Sequence, residues 1–284
     1  MRRILGLVAS QRKTANGEIL TQEVAKAAGE DCELELIRLA DLDLKLCKAC
    51  YACLIPGKPC VHEDDLYFLI DKIKAADGII ISAPDYVLGP AAVIKVLADR
   101  MIALTQILDD LWGKPCVIIS TYGIKGWEGY TLSALNSMAR FMGFEVKDSH
   151  LFFGALPGEG IIGEGALARA REMGQALFGN SRSALGGECP ACWSEMWKFP
   201  EPGKAVCPIC GQTADLVAGE NGIQWRYGET GKRFEKEYLK EHFHNWLREK
   251  VQEFVARRKE LAAVRTLYKG STWLEPPQEN LIEK

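Results

Sequence analysis

Eight of the ten cysteines in this 284-residue chain fall into two metal-ligand patterns. The first is Cys47-x2-Cys50-x2-Cys53-x6-Cys60, and the second is Cys189-x2-Cys192 followed by Cys207-x2-Cys210. Four thiolates on one tightly curled loop suit a single [4Fe–4S] cubane. Pro56, Gly57 and Pro59 would turn the chain so that Cys60 closes the set. Zinc on the same thiolates is the alternative, although C-x2-C-x2-C is more crowded than the usual two-knuckle zinc site. Free or redox-active thiols are the third. The second set forms two knuckles whose four sulfurs can close a tetrahedron around one ion. Such an ion would staple a segment too short to hold its own core.

Composition narrows the setting. A formal charge of -3 gives no electrostatic case for nucleic acid. No apolar run approaches the roughly 20 residues of a membrane span, and Met1-Arg2-Arg3 with the apolar residues after it reads as a buried first strand rather than a signal peptide. The expected location is the cytoplasm, where closely spaced cysteines bind metal more often than they form disulfides.

The elements that would position these groups alternate. Apolar strand signals at residues 4–9, 33–37, 78–82, 115–120 and 144–153 are separated by helical periodicity at 18–28, 64–76, 91–108, 132–142 and 165–177. Uninterrupted apolar strands between helices predict an α/β fold, with a five-stranded parallel sheet covered on both faces. The doubly wound, flavodoxin-like order is 2-1-3-4-5, with ligands beyond the carboxyl ends of the strands. The expected organisation is residues 1–180 with the cysteine loop at 47–60, a Gly/Ser-rich linker at 181–187, a zinc-ribbon-like segment at 188–228, and a long C-terminal helix with an extended tail at 229–284.

Three loops at that predicted edge carry polar chemistry. Ser10-Gln11-Arg12-Lys13-Thr14-Ala15-Asn16-Gly17 joins hydroxyls and basic side chains to a helix N-terminus, which suits a phosphate dianion. It is not G-x-G-x-x-G, so a monophosphate such as that of FMN fits better than a pyrophosphate. A capped turn with no ligand is the simpler reading of that loop alone. Residues 82–90 and 120–129 each combine aromatics with glycines and hydroxyls, as a flat ring with a polar edge would need.

On these loops the chain resembles the NADPH-dependent FMN reductase family, and more closely its iron–sulfur flavoprotein branch, over about residues 1–179. The family's G-S-P-R-x-x-G-N-T loop is matched at Ser10, Arg12 and Asn16, with Ala9, Gln11, Ala15 and Gly17 departing from it. Its S-P-x-Y and K-x-x-x-D-R stretches are matched by Pro84, Tyr86, Lys95, Asp99 and Arg100, and its T-x-G loop by Thr121-Tyr122-Gly123. The resemblance implies FMN contacts at Ser10, Arg12, Asn16, Gly17, Pro84, Asp85, Tyr86, Val87, Leu88, Gly89, Thr121, Tyr122 and Gly123. It also implies a homodimer or homotetramer that exchanges electrons with NAD(P)H or a protein partner. The second cysteine set resembles a zinc ribbon, and Cys207-Pro208-Ile209-Cys210-Gly211 also resembles rubredoxin, so zinc and rubredoxin-like iron both stand.

The expected function is electron transfer between FMN and a [4Fe–4S] cluster, with no side chain singled out as a general acid or base. The alternatives are an NAD(P)H-dependent FMN or quinone reductase without a cluster, and a non-enzymatic docking module. His62 borders the first cysteine set and reads as a solvated loop residue. His150 reads as structural, and His242 and His244 as surface or packing residues. Cys32 and Cys116 read as small apolar residues in or beside strands. A stripe of Phe234, Tyr238, Trp246, Leu247, Val251, Phe254 and Val255 on the C-terminal helix needs cover, either from the sheet or from a second subunit.

Overall fold

The computed structural model describes residues 1–219, 222–270, 272 and 274. The expected extended tail around Pro276-Pro277 lies outside them. The chain begins with β1 (Arg2–Val8), α1 (Asn16–Ala27), β2 (Cys32–Arg38), α2 (Leu66–Ala75), β3 (Gly78–Tyr86), a two-residue β4 (Gly89–Pro90) and α3 (Ala92–Arg100). It continues through α4 (Leu108–Leu111), β5 (Pro115–Tyr122), α5 (Thr131–Phe141), β6 (Glu145–Phe153), α6 (Glu159–Ile162) and α7 (Ala166–Leu177). Five strands lie parallel in the order β2-β1-β3-β5-β6, the arrangement the alternation predicts. The sheet has a sixth strand that the sequence did not announce: β4 folds back antiparallel on β3, pairing Asp85 with Pro90 and Tyr86 with Gly89.

The period-2 geometry of strands sorts each apolar run onto two faces. Leu5, Leu7, Ile79, Ile81 and Ile118 pack with Leu66, Leu69, Ile94, Leu97, Leu135 and Met138 of α2, α3 and α5. Ile4, Ile80, Val117 and Ile119 pack with Leu20 and Val24 of α1 and Met173 and Leu177 of α7. Burial on both faces is why these strands read as continuous apolar runs rather than alternating ones. Cys116 belongs to this core, whereas Cys32 at the start of edge strand β2 is half-buried.

Two helices differ from expectation. The periodicity at 91–108 is not one helix: α3 ends at Arg100, and Met101–Ile107 winds as a 3-10 helix before α4. A 3-10 run this long is uncommon, and this one lies against the first cysteine loop. The C-terminal helix is likewise broken, into α8 (Lys236–Glu241), a π turn (His242–Trp246), α9 (Leu247–Ala256) and α10 (Arg258–Thr266). The wide turn lets Phe243 pack beside Leu108 and His244 bond the Thr105 carbonyl at 3.2 Å. Burial therefore falls on Leu239 and Phe243, which lie off the expected stripe. Tyr238, Trp246, Val251, Phe254 and Val255 of that stripe stay exposed, while Phe234 and Leu247 are partly covered.

Between α7 and α8 a small antiparallel sheet, β7 (Lys204–Val206), β8 (Thr213–Gly219) and β9 (Gly222–Tyr227), carries the second cysteine set. This segment is tied closely to the main sheet. The Arg182 N–H donates to the Lys147 carbonyl at 2.9 Å. Trp193, next to Cys192, is 5% exposed and joins the core beneath α5. The guanidiniums of Arg140 and Arg182 lie 5.2 and 4.2 Å from its ring.

Candidate functional site

The carboxyl ends of β1, β3, β5 and β6 open into one cavity of about 420 Å³, within the size range of small-molecule sites. Ser10, Arg12, Asn16, Gly17, Pro84, Asp85, Tyr86, Val87, Leu88, Thr121, Tyr122 and Gly123 line it. Of the residues singled out from sequence, only Gly89 is outside that lining; it sits buried in β4 under the Tyr130 ring.

One end of the cavity suits an anion. α1 begins at Asn16 after an extended Ala15 that gives no side-chain cap, so its first N–H groups are left for a ligand. The Ser10 hydroxyl accepts from the Arg12 N–H at 3.2 Å and keeps its own proton to donate. Asn16 is committed elsewhere: its amide donates to the Gly154 carbonyl at 2.9 Å and accepts from the Gly160 N–H at 3.1 Å. It organises the loop after β6, and that loop adds Gly154, Ala155 and Pro157 to the lining. Those three residues went unnoticed in the sequence, and Trp127 was read only as part of the 120–129 loop. The rule that ligands meet the carboxyl ends of strands points to a Gly-Ala-Leu-Pro-Gly turn directly after β6.

The other walls are flat and strained. Tyr86, Tyr122 and Trp127 contribute aromatic surface. Val87 and Leu88 form the two-residue turn between β3 and β4 with φ of 55° and 66°. Both central residues at positive φ define a type I′ turn, a place for Asn-Gly. A β-branched residue there is a true outlier, and such strain gathers at ligand sites. The turn is clamped by Gly129, where a Cβ would lie 2.0 Å from the Leu88 carbonyl oxygen. Asp85 accepts a hydrogen bond from the Thr131 hydroxyl, and burial raises its carboxyl above the ordinary range. It is the one acid in the cavity wall.

The first cysteine set lies at the far end of α3. Cys47, Cys50, Cys53 and Cys60 line one hollow together with Ala49, Tyr51, His62, Asp99, Arg100 and Ala103. The hollow is tight, about 20 Å³, and its open side is formed by the exposed Cys47 and Cys50. Burial, then the neighbouring Cys60, pushes the Cys53 thiol up to about 11. Ala49 and Tyr51 turn the loop at φ of 50° and 56°, strained values for residues with a Cβ. His62 holds the loop through the Leu46 carbonyl at 2.9 Å.

Gln106, on the 3-10 segment, is the organiser that the sequence did not reveal. Its amide N–H groups reach the carbonyls of Cys53, Ile55 and Lys58, and its carbonyl accepts from the Gly57 N–H at 3.1 Å. The donor set fits an iron–sulfur cluster: four cysteines line one hollow, on a loop pinned through its Leu46, Cys53, Ile55 and Lys58 carbonyls.

The second set is drawn much closer. The sulfurs of Cys189, Cys192, Cys207 and Cys210 all lie within 4.8 Å of one another and are buried. Sulfur neighbours, Cys189 first, push the Cys192 thiol up. Four thiolates cannot share so small a volume without a cation, so the donors fit a single metal ion.

The model of the NADPH-dependent FMN reductase family matches residues 2–155. An iron–sulfur flavoprotein of Methanocaldococcus jannaschii is 38% identical over 99 residues, which are 34% of this chain and 51% of that protein. Another, of Methanosarcina thermophila, is 31% identical over 158 residues, 54% of this chain and 81% of that one. The match thus spans about half the length of the first relative and most of the second. A flavone synthase of Aspergillus candidus is 26% identical over 250 residues, 76% of this chain and 77% of its own. Among solved structures, a flavone reductase of 19% identity covers 96% of this chain and all of its own, with a TM-score of 0.72. That likeness extends the shared architecture through the second cysteine set and the C-terminal helices. With the family model matched over more than half its length, the chain belongs to the NADPH-dependent FMN reductase family.

Proposed function

We propose that the protein is an iron–sulfur flavoprotein, an oxidoreductase that exchanges electrons between FMN in the β-edge cavity and a [4Fe–4S] cluster on Cys47, Cys50, Cys53 and Cys60. The observation that carries this reading is the convergence of those four thiols on one hollow, at the end of the helix that starts beside the flavin cavity. FMN would supply two-electron hydride exchange, and the cluster would pass electrons singly.

The chain's own residues have separable roles. Ser10, Arg12 and the N-terminus of α1 would hold the phosphate, while Asn16 and Gly17 shape the turn beneath it. Pro84, Asp85, Tyr86, Val87, Leu88 and Gly89 would lie along the ring, with Thr121, Tyr122 and Gly123 at its polar edge. Asp85 would present the one carboxyl of the cavity wall to the ring. Zinc at Cys189, Cys192, Cys207 and Cys210 would be a fixed structural ion, with rubredoxin-like iron the other occupant of the same ligands. NAD(P)H or a protein would be the electron donor to a cytoplasmic homodimer or homotetramer.

The test is protein purified without oxygen, with flavin released by acid and iron, sulfide and zinc counted per chain. One FMN, equal iron and sulfide, and one zinc are expected. Protein that is colourless and free of flavin refutes the proposal.

A second reading has its own support. The flavone synthase match spans 76% of this chain, against 34% and 54% for the two iron–sulfur flavoproteins. On that reading the cavity redoxes a flat, flavone-like ring system directly. Reduced protein reoxidised rapidly by a flavone or flavanone, with iron absent, would favour it.

A further inference from the structure

Arg100 is the most deeply placed charge beside the first cysteine set. Its side chain is 1% exposed and that of its partner Asp64 is fully buried. A buried ion pair of this kind persists only when its remaining donors and acceptors are satisfied. Asp64 meets that condition with the N–H groups of Lys45 and Leu66, at 3.0 and 3.2 Å. Arg100 directs Nη1 to Asp64 and to the Lys45 carbonyl, both at 2.6 Å, and Nη2 to Asp64 at 3.2 Å. Nη2 then has a further N–H, and it points at Cys60 Sγ, 3.4 Å away.

We propose that Arg100 is a positioning residue for the iron–sulfur cluster, its guanidinium locked by Asp64 and donating to Cys60 Sγ so as to raise the cluster's reduction potential. The inference rests on the reading of Cys47, Cys50, Cys53 and Cys60 as cluster ligands. One-electron reduction adds one negative charge, spread over the inorganic core and its four thiolates. Hydrogen bonds to the sulfurs and net local charge are the protein's main controls on such a potential. Arg100 supplies both, to one chosen sulfur. Its charge is permanent, because guanidinium does not deprotonate in proteins.

The fork geometry is specific to arginine. Lysine brings the same charge as a point, and it cannot chelate Asp64 and reach Cys60 together. A purely structural role would need only the Asp64 and Lys45 contacts. The contact to Cys60 is the one that loop folding does not require.

The experiment uses full-length wild type, Arg100→Lys and Arg100→Gln, each reconstituted anaerobically with iron and sulfide. Iron per chain is counted, and the potential is followed by electron paramagnetic resonance. Arg100→Gln is expected to keep its iron and shift the midpoint negative. The shift should change the reduced-to-oxidised ratio at fixed potential about tenfold, ~59 mV for one electron. Arg100→Lys should fall between the two.

Should either variant fail to fold or load, wild type grown with guanidino-nitrogen-15 arginine tests the bond to the cluster sulfur directly, by pulsed resonance of the reduced protein. Arg100 is the one arginine lining the hollow among the described residues, so a coupled nitrogen is expected. Unchanged potential at full iron content, or no coupled nitrogen, overturns the role of Arg100 alone. Wild type that takes up neither iron nor sulfide overturns the cluster reading, and this inference with it.

Discussion

Arg248 on α9 donates Nε and Nη2 to the carbonyl of Leu54, at 3.1 and 2.8 Å, across 194 residues of chain. Leu54 is buried one residue after Cys53. The C-terminal helices thus close over the first cysteine loop.

Removing that clasp should loosen the loop and leave the sheet intact. A charge-assisted bond of this kind is worth about 1.5–3 kcal/mol. Arg248→Ala is expected to speed amide exchange at residues 53–58 by tenfold or more, with little change in the global melting temperature. Exchange that matches wild type at those amides would show that Gln106 holds the loop alone.

Stripping the second metal should reach further than its own segment. Arg233 donates to the carbonyls of Pro208 and Ile209 in the knuckle, and Phe234 packs on the four cysteines and against Phe141. The start of the C-terminal helices therefore rests on the cysteine knuckles. Cys192→Ser is expected to lose the ion, to lower stability by several kcal/mol, and to expose Trp193. Tryptophan fluorescence and bound-metal assay check it together; full loss of metal with native fluorescence would contradict the coupling.

The pH dependence should carry the signature of His150. Burial, then the Arg169 guanidinium, hold its imidazole down at about 4, against an ordinary value near ~6.5. The unfolded chain binds this proton below ~6.5 and the folded protein only near 4. Stability from this group is therefore complete above ~6.5, falls as pH drops through that window, and levels off below 4. Between pH 7 and 4.5 the loss is about 2 kcal/mol. His150→Gln should flatten the difference between urea midpoints at those two pH values, and an unchanged slope would rule His150 out.

The Val87-Leu88 turn stores strain that can be released. Val87→Asn with Leu88→Gly supplies the residues that a type I′ turn favours, and should stabilise the fold by about 1–2 kcal/mol. A rise in melting temperature of roughly 2–4 °C per kcal/mol is expected. FMN should bind more weakly, since both replaced side chains line the cavity. A less stable double variant would mean that the turn is not strained in solution.

Much of this was legible in the chain. Parallel strand order follows from apolar runs such as 78–82 and 115–120, because burial on both faces writes itself into consecutive residues. The cysteines were legible because ligand spacing is local. Gln106 and Arg248 were not: each acts on backbone carbonyls far away in sequence, and neither bears a periodic mark. Helix 91–108 misled because its apolar spacing suits an α-helix, whereas contact with the cysteine loop winds residues 101–107 more tightly. The stripe on the C-terminal helix misled through the π turn, which adds a residue to the repeat and rotates Phe243 inward in place of Trp246.

Trp193 has one more consequence. Its indole is seated in the core of the sheet and flanked by two guanidiniums, while the adjoining Cys192 belongs to the first cysteine knuckle of the second set. A knuckle anchored in this way cannot swing as an arm on a hinge. Thermal motion of the small sheet should follow that of the large one, and a spin label at Asp215 should report the slow tumbling of one rigid particle rather than the faster wobble of a tethered module.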